Sequence, residues 1–459
     1  MTPFSDLSLI PELFNNLASL GYHQMTAIQQ QSIKPILAGQ DVQAQAKTGS
    51  GKTAAFGLGL LQQIDFKQYQ TQALILCPTR ELADQVAKEI RRLARAIANI
   101  KVLTLCGGSA LAPQLASLKQ HSPHIVVGTA GRILKHLEKN TLNLTHLKTL
   151  VLDEADRMLD MGFYDDIIRV IKKTPPQRQT LLFSATFPNE IKKISQQIQK
   201  SPLKIQVESV HNEQKIKQVF YEIDKNERET GIMRLLEHYQ PESSLIFCNR
   251  KEQCRIFAKQ LWQRGFHALA LHGDLDQKER DQVLLQFSNK SSSILVATDV
   301  AARGLDIKDL TAVINFELSP DPEIHIHRIG RTGRADKEGL ALSLFTPSET
   351  KKIKAIETYQ NRTINIKQIT ELNSQSYFKL VPPMVTLHIS GGKKAKLRAG
   401  DILGALTKNT PITGNQIGKI DLFDYSAYVA VELAVSKQAF AVLNEGKIKG
   451  RKFKVRRMH

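Results

Sequence analysis

Short apolar runs bounded by polar turns recur along this chain, and between them the spacing of apolar positions changes. Residues 73–77, 124–128, 149–152 and 180–183 are runs of four or five residues rich in Leu, Ile and Val. That is the length and composition of strands buried on both faces. Residues 81–93 instead place apolar side chains at 82, 83, 86, 87, 90 and 93, the spacing of a helix with one buried face. The two patterns alternate from residue 1 to about 207, which predicts a parallel sheet covered by helices on both sides. Polar residues at 208–218 read as a linker. A second alternating segment follows, with strands predicted at 244–248, 268–271, 293–297 and 312–315. After a predicted connector at 366–381, the rest reads β-α-β-β-α-β, at 385–389, 399–407, 417–422, 427–433, 436–444 and 452–457. The expected domains are therefore 1–207, 217–365 and 382–459, with the first two as candidate structural copies.

Composition narrows this picture. No run approaches the ~18 apolar residues of a membrane helix, so no membrane association is expected. Residues 1–17 lack a basic start and a cleavage site, so no leader is read. Cys77, Cys106, Cys248 and Cys254 show neither CxxC nor zinc spacing. They read as reduced, small hydrophobes of a cytoplasmic protein. The net charge is +19, and residues 380–459 carry 14 Lys/Arg against 5 Asp/Glu, a net +9. About half the excess thus lies in the last domain, which reads as a separate nucleic-acid-binding module.

The candidate chemistry begins at Ala46-Lys47-Thr48-Gly49-Ser50-Gly51-Lys52-Thr53, between a predicted strand (41–44) and a predicted helix (54–64). Closely spaced glycines let backbone N–H groups curl around phosphates, and a helix N-terminus adds positive potential. Lys52 suits the β- and γ-phosphates and Thr53 suits Mg²⁺. The strict P-loop pattern has Gly where Ala46 stands. About a hundred residues on, a buried strand ends in Asp153-Glu154-Ala155-Asp156. Here Asp153 suits the metal, through water or directly, and Glu154 suits polarisation of the attacking water.

Further motifs fall in order around these: Phe4, Gly21-Tyr22, Gln29, Pro78-Thr79-Arg80-Glu81-Leu82, Gly107-Gly108, Thr129-Ala130-Gly131-Arg132 and Ser184-Ala185-Thr186. Asn249-Arg250, residues 277–280, 298–306 and 327–334 continue the series. Over residues 1–350 the chain resembles a DEAD-box RNA helicase. The resemblance implies two RecA-like parallel-sheet domains in tandem, ATP and Mg²⁺ as cofactors, RNA as partner, and a monomer. It implies adenine recognition by Gln29 and stacking by Phe4. Gly304 and Asp306 match positions near the ribose, and Arg331 and Arg334 match arginines brought to the γ-phosphate. Ser184 and Thr186 match the motif linking hydrolysis to strand separation. The implied RNA track is Pro78, Thr79, Arg80, Gly108, Thr129, Gly131 and Arg132 in the first domain, and Arg250, Gly273, Arg280, Thr298 and Asp299 in the second. Ala130, Met25 and Ala27 stand where the family has proline, which relaxes the local backbone.

The last domain, through Ser390-Gly-Gly-Lys-Lys-Ala-Lys-Leu-Arg398, Gly418-Lys-Ile and Lys447-Ile-Lys-Gly-Arg-Lys452, resembles the end of the DbpA subgroup of bacterial DEAD-box proteins. This implies an RRM-like α+β domain that recognises a 23S ribosomal RNA hairpin during large-subunit assembly, on pre-large-subunit particles. The usual RRM aromatic signature is reduced to Tyr428. Recognition is therefore expected from Lys393, Lys394, Lys396, Arg398, Lys447, Lys449, Arg451 and Lys452. Two other readings stand beside this one: a general DEAD-box helicase with a nonspecific basic tail, and a non-enzymatic RNA-binding scaffold. Intact Lys52, Thr53, Glu154, Arg331 and Arg334 speak against the scaffold.

Overall fold

In the computed structural model, which describes residues 2–46, 49–207, 216–302, 310–333, 338–372 and 380–458, the apolar runs become the centre of two parallel sheets. The first contains β1 (Val42–Gln45), β2 (Ala73–Leu76), β3 (Val102–Leu105), β4 (Ile125–Gly128), β5 (Thr149–Asp153), β6 (Gln179–Ser184) and β7 (Leu203–Gln206). Its order is β3-β4-β2-β5-β6-β1-β7. Every residue of β2, β4, β5 and β6 is buried, because helices cover both faces. Helix Arg80–Leu93 buries the six predicted apolar positions. Thr79 Oγ1 caps it by accepting from Leu82 N at 3.2 Å, while Arg91 and Arg92 lie in its negative last turn.

The second sheet contains β8 (Ile216–Glu222), β9 (Ser244–Cys248), β10 (Ala268–Leu271), β11 (Ile294–Thr298), β12 (Ala312–Asn315), β13 (Gly339–Phe345) and β14 (Ile366–Gln368). Its order, β10-β11-β9-β12-β13-β8-β14, repeats the first sheet strand for strand. The two sheets are structural copies.

Some expectations need correction. The linker read at 208–218 ends earlier, since Ile216 already opens β8; residues 208–215 lie outside the described residues. The connector read at 366–381 begins with β14, which pairs with β8, so the second sheet runs past residue 365. All three β14 side chains are exposed, so only backbone pairing makes it a strand, and no apolar pattern announces it. The helix expected at 54–64 starts at Lys52, because Gly51 takes a left-handed φ of +95° and turns the chain there.

The chain divides into two compact units, the second holding both the second parallel sheet and a small antiparallel one. That sheet has β15 (Met384–Ile389), β16 (Ile417–Leu422), β17 (Ala427–Glu432) and β18 (Val455–Arg457) in the order β16-β17-β15-β18. The β18 strand starts three residues later than the expected 452. Leu387, Ile389, Val429 and Val431 face helices Ala399–Thr407 and Ser436–Glu445 across one core. The alternate positions, Thr386, His388, Tyr428 and Ala430, form the opposite face. Its Thr386 end is covered by the turn after the second unit's helix Gln277–Ser288. Thr386 Oγ1 lies 2.7 Å from Ser291 Oγ and 3.3 Å from Asn289 Nδ2, and Met384 N donates to Lys290 O at 3.3 Å.

Candidate functional site

The predicted site residues gather at the carboxyl ends of the strands, where open α/β sheets bind ligands. In the first unit they separate by chemistry. The P-loop follows β1, Asp153 ends β5 with Glu154 just after it, and Ser184 ends β6, and these strands are adjacent. The candidate RNA residues follow β2, β3 and β4 on the other half of the sheet.

On the nucleotide half, Lys52 is 5% exposed and donates from Nζ to Ala46 O at 3.0 Å. Gln29 ties the preceding turn to the P-loop: Oε1 accepts from Thr26 N at 2.8 Å and Nε2 donates to Gly51 O at 3.1 Å. One N–H and one lone pair of that amide remain for a base. Glycine suits position 51 because its φ of +95° is one that L side chains rarely adopt, and a Cβ there would also displace the Gln29 amide. Phe4, the expected adenine-stacking residue, precedes the same turn. Its ring packs in the core, edge-on to Tyr22 at 5.8 Å and 2% exposed, as buried as Gln29 itself. Lys47, Thr48, Gly304, Asp306 and Arg334 lie outside the described residues.

The carboxylates differ in environment. Burial pushes Asp153 up to about 6 against the pull of Lys52, and neighbouring Glu154 pushes the same way. Asp153 Oδ1 is buried with no hydrogen-bond partner among the described residues. An orphaned carboxylate oxygen within electrostatic reach of the P-loop Lys52 fits Mg²⁺, which takes few protein oxygens and keeps several waters. Among the described residues no group of three His, Cys, Asp or Glu offers another metal site. Glu154 has a strained φ of +52° and accepts from Arg157 Nη1 at 2.8 Å, both side chains buried. Asp156 Oδ2 accepts from Ala185 N, Thr186 N and Thr186 Oγ1 at 3.2, 2.9 and 3.0 Å.

On the other half, the loops after β3 and β4 are joined. Gly107 N donates to Thr129 Oγ1 at 3.4 Å, and Arg132 donates to Ser109 O and Gln114 Oε1, both at 2.9 Å. Buried His136 also reaches Gln114 Oε1, at 3.0 Å. Gly108 and Gly131 are exposed, and Pro78 and Thr79 are buried at the start of helix Arg80–Leu93.

In the second unit, Gly273 follows β10, Thr298 ends β11 and Arg250 follows β9, again on neighbouring strands. Arg250 and Gly273 are exposed, and Arg280 Nη2 donates to Ala301 O at 3.3 Å. Asp299 is not offered to RNA: its carboxylate takes Arg328 Nε at 2.7 Å and Nη2 at 2.6 Å. Arg328, 2% exposed, also reaches Asn249 Oδ1, Asn315 Oδ1 and Glu317 O. Arg331 is 6% exposed.

Sequence reasoning missed Arg157, Gln114 and Arg328. Arg157 stands three residues after Glu154 and Arg328 lies inside a motif already noted, so each had a signal. Gln114 had none.

In the third domain all eight predicted cations are exposed. The two basic runs meet: Lys449 Nζ donates to Lys396 O at 3.2 Å and lies 3.7 Å from Asp401 Oδ2. Tyr428 is not an open platform. It is 8% exposed, between His388 at 4.9 Å and Phe423 at 5.6 Å.

Known proteins match this arrangement from end to end. The DEAD/DEAH box helicase family matches residues 26–194, the helicase conserved C-terminal domain residues 227–336, and the DbpA RNA binding domain residues 386–457. The chain is 53% identical to the ATP-dependent RNA helicase DbpA of Escherichia coli K12 over 457 residues, 99% of each. It is 44% identical to the ATP-dependent RNA helicase CshA of Listeria monocytogenes, over 78% of this chain and 68% of the other. Among solved structures, Saccharomyces cerevisiae Dbp5 bound to RNA and ADP BeF3 matches with a TM-score of 0.73 and 30% identity, over 80% of this chain and 96% of that one.

Proposed function

Because this chain belongs to the DEAD-box ATP-dependent RNA helicases of the DbpA type, and so is an RNA-stimulated ATPase, we propose that it remodels 23S ribosomal RNA during large-subunit assembly. The observation that carries this reading is the meeting of the two basic runs through Lys449 and Lys396, which makes one cationic surface at one end of the third domain. Phosphate contacts from such a surface position an RNA, while the helicase units hold backbone without reading sequence. The same reading has a monomer acting in the cytoplasm on pre-large-subunit particles.

Within the first unit, Lys52 and the P-loop amides hold the phosphates. Glu154, oriented by Arg157, polarises the attacking water. Thr53 and Asp153 would hold Mg²⁺, which supplies neutralisation of phosphate charge. Gln29 reads adenine with the half of its amide that the backbone leaves over. Arg331 is the second unit's candidate for charge on the γ-phosphate. The RNA track is Pro78, Thr79, Arg80, Gly108, Thr129, Gly131 and Arg132, continued by Arg250, Gly273, Arg280 and Thr298.

The test is RNA-stimulated ATPase with 23S ribosomal RNA against poly(A), at one fixed salt. Full-length protein is compared with a variant carrying Lys393→Gln, Lys394→Gln, Lys447→Gln and Lys452→Gln. A preference for ribosomal RNA that the substitutions abolish supports the reading. Equal stimulation by both RNAs in the unsubstituted protein returns it to a general helicase with a nonspecific basic tail.

A further inference from the structure

The β16–β17 hairpin carries two exposed aromatic residues at its tip, and the fold holds that tip against the first basic loop. Phe423 N closes the turn on Ser426 O at 2.8 Å. Lys393 N then donates to Phe423 O at 2.8 Å, and Lys394 N to Asp424 O at 2.9 Å. The approach is close enough to require glycine, since a Cβ on Gly392 would lie 2.1 Å from Phe423 O. Tyr425 projects from this latched tip with 78% of its surface exposed, the most of any large hydrophobic side chain among the described residues. Phe423, 45% exposed, braces the tip by meeting the buried Tyr428 ring edge-on.

A lone exposed aromatic is ordinary. A rigidly mounted one beside converging cations is not, because a planar π-face next to phosphate-binding lysines is how single strands are held. The sheet face of this domain is not free for that task. Its Thr386 end lies against Asn289 and Ser291, and Tyr428 is covered. Charge complementarity also selects the occupant. Lys393 and Lys394, both exposed, are hydrogen-bonded through their backbone to the tip, and Lys396 and Arg398 follow them in the same basic run, against the single carboxylate of Asp424 within the tip.

We propose that Tyr425 stacks on an unpaired base of the bound RNA while Lys393 and Lys394 hold the adjoining phosphates. This rests on the reading of the third domain as the RNA address. The ring then contributes what the cations cannot, a preference for unpaired over paired nucleotides, since a duplex presents no free base face.

The experiment measures binding of full-length protein to purified 23S ribosomal RNA and to a blunt RNA duplex across a salt series. Tyr425→Ala, Tyr425→Phe and the double substitution Lys393→Gln/Lys394→Gln are compared. Tyr425→Ala is expected to weaken ribosomal RNA binding roughly tenfold, leave duplex binding unchanged and keep the salt slope. Tyr425→Phe, which keeps the ring, retains wild-type binding. The lysine variant lowers the salt slope. Unchanged ribosomal RNA affinity in Tyr425→Ala beside a lowered slope in the lysine variant overturns the stacking proposal alone. An unchanged slope and affinity in all three variants overturns the address reading beneath it.

Discussion

The Asp156 carboxylate grips Thr186 twice through Oδ2, taking the hydroxyl at 3.0 Å and the amide at 2.9 Å. This ties the residues that follow β5 to those that follow β6, within the half of the sheet that carries the P-loop. Thr186→Val keeps the amide bond and deletes only the hydroxyl, a charge-assisted contact worth roughly 1.5–3 kcal/mol. RNA-stimulated ATPase is expected to survive while strand separation falls severalfold. Equal losses in both assays would place the pair in hydrolysis itself.

Glu154→Gln keeps an oxygen for Arg157 and removes the base. ATP and RNA binding should persist while turnover falls by roughly 10²-fold or more. Normal steady-state ATPase in this variant would remove Glu154 from the chemistry.

Asp299 is the countercharge of buried Arg328. Asp299→Asn leaves that guanidinium uncompensated, at a cost of about 3–5 kcal/mol. Thermal unfolding should show the second unit melting earlier. A variant as stable as wild type, but defective in RNA binding, would restore Asp299 to the RNA track.

Glu349 shapes the acid limit of the same unit. Burial pushes its pKa upward, but bonds from Lys352 and Arg228 outweigh this and hold it below the ordinary 4.5. A depressed carboxyl contributes stability that is present above its unfolded value and lost as pH falls through its folded one. Glu349→Gln should therefore be less stable than wild type at neutral pH, with the difference shrinking below pH 4.5. A pH-independent gap in denaturant midpoints would contradict this.

Thr386, Ser291 and Asn289 join the small domain to the second parallel-sheet domain. Thr386→Val strands the polar atoms facing it, at about 1–3 kcal/mol. In a double-mutant cycle, Thr386→Val and Asn289→Ala should be non-additive, as for residues in one hydrogen-bond network. Additive effects on thermal unfolding would mean that the two do not interact.

Apolar spacing and turn chemistry were enough to read the α/β alternation, the six buried positions of helix Arg80–Leu93 and the P-loop ahead of Asp153-Glu154. These are local properties: a buried strand needs consecutive hydrophobes, and a phosphate loop needs glycines before a helix. Strand β14 escaped because its side chains are exposed, so its place is set by backbone pairing to a strand far away in sequence. The burial of Phe4 and Tyr428, the capture of Asp299 by Arg328, and the bracing of Arg132 by Gln114 were likewise decided only in three dimensions. A side chain's residue type states what it can bond to, but its partner and its exposure depend on which distant segments fold against it.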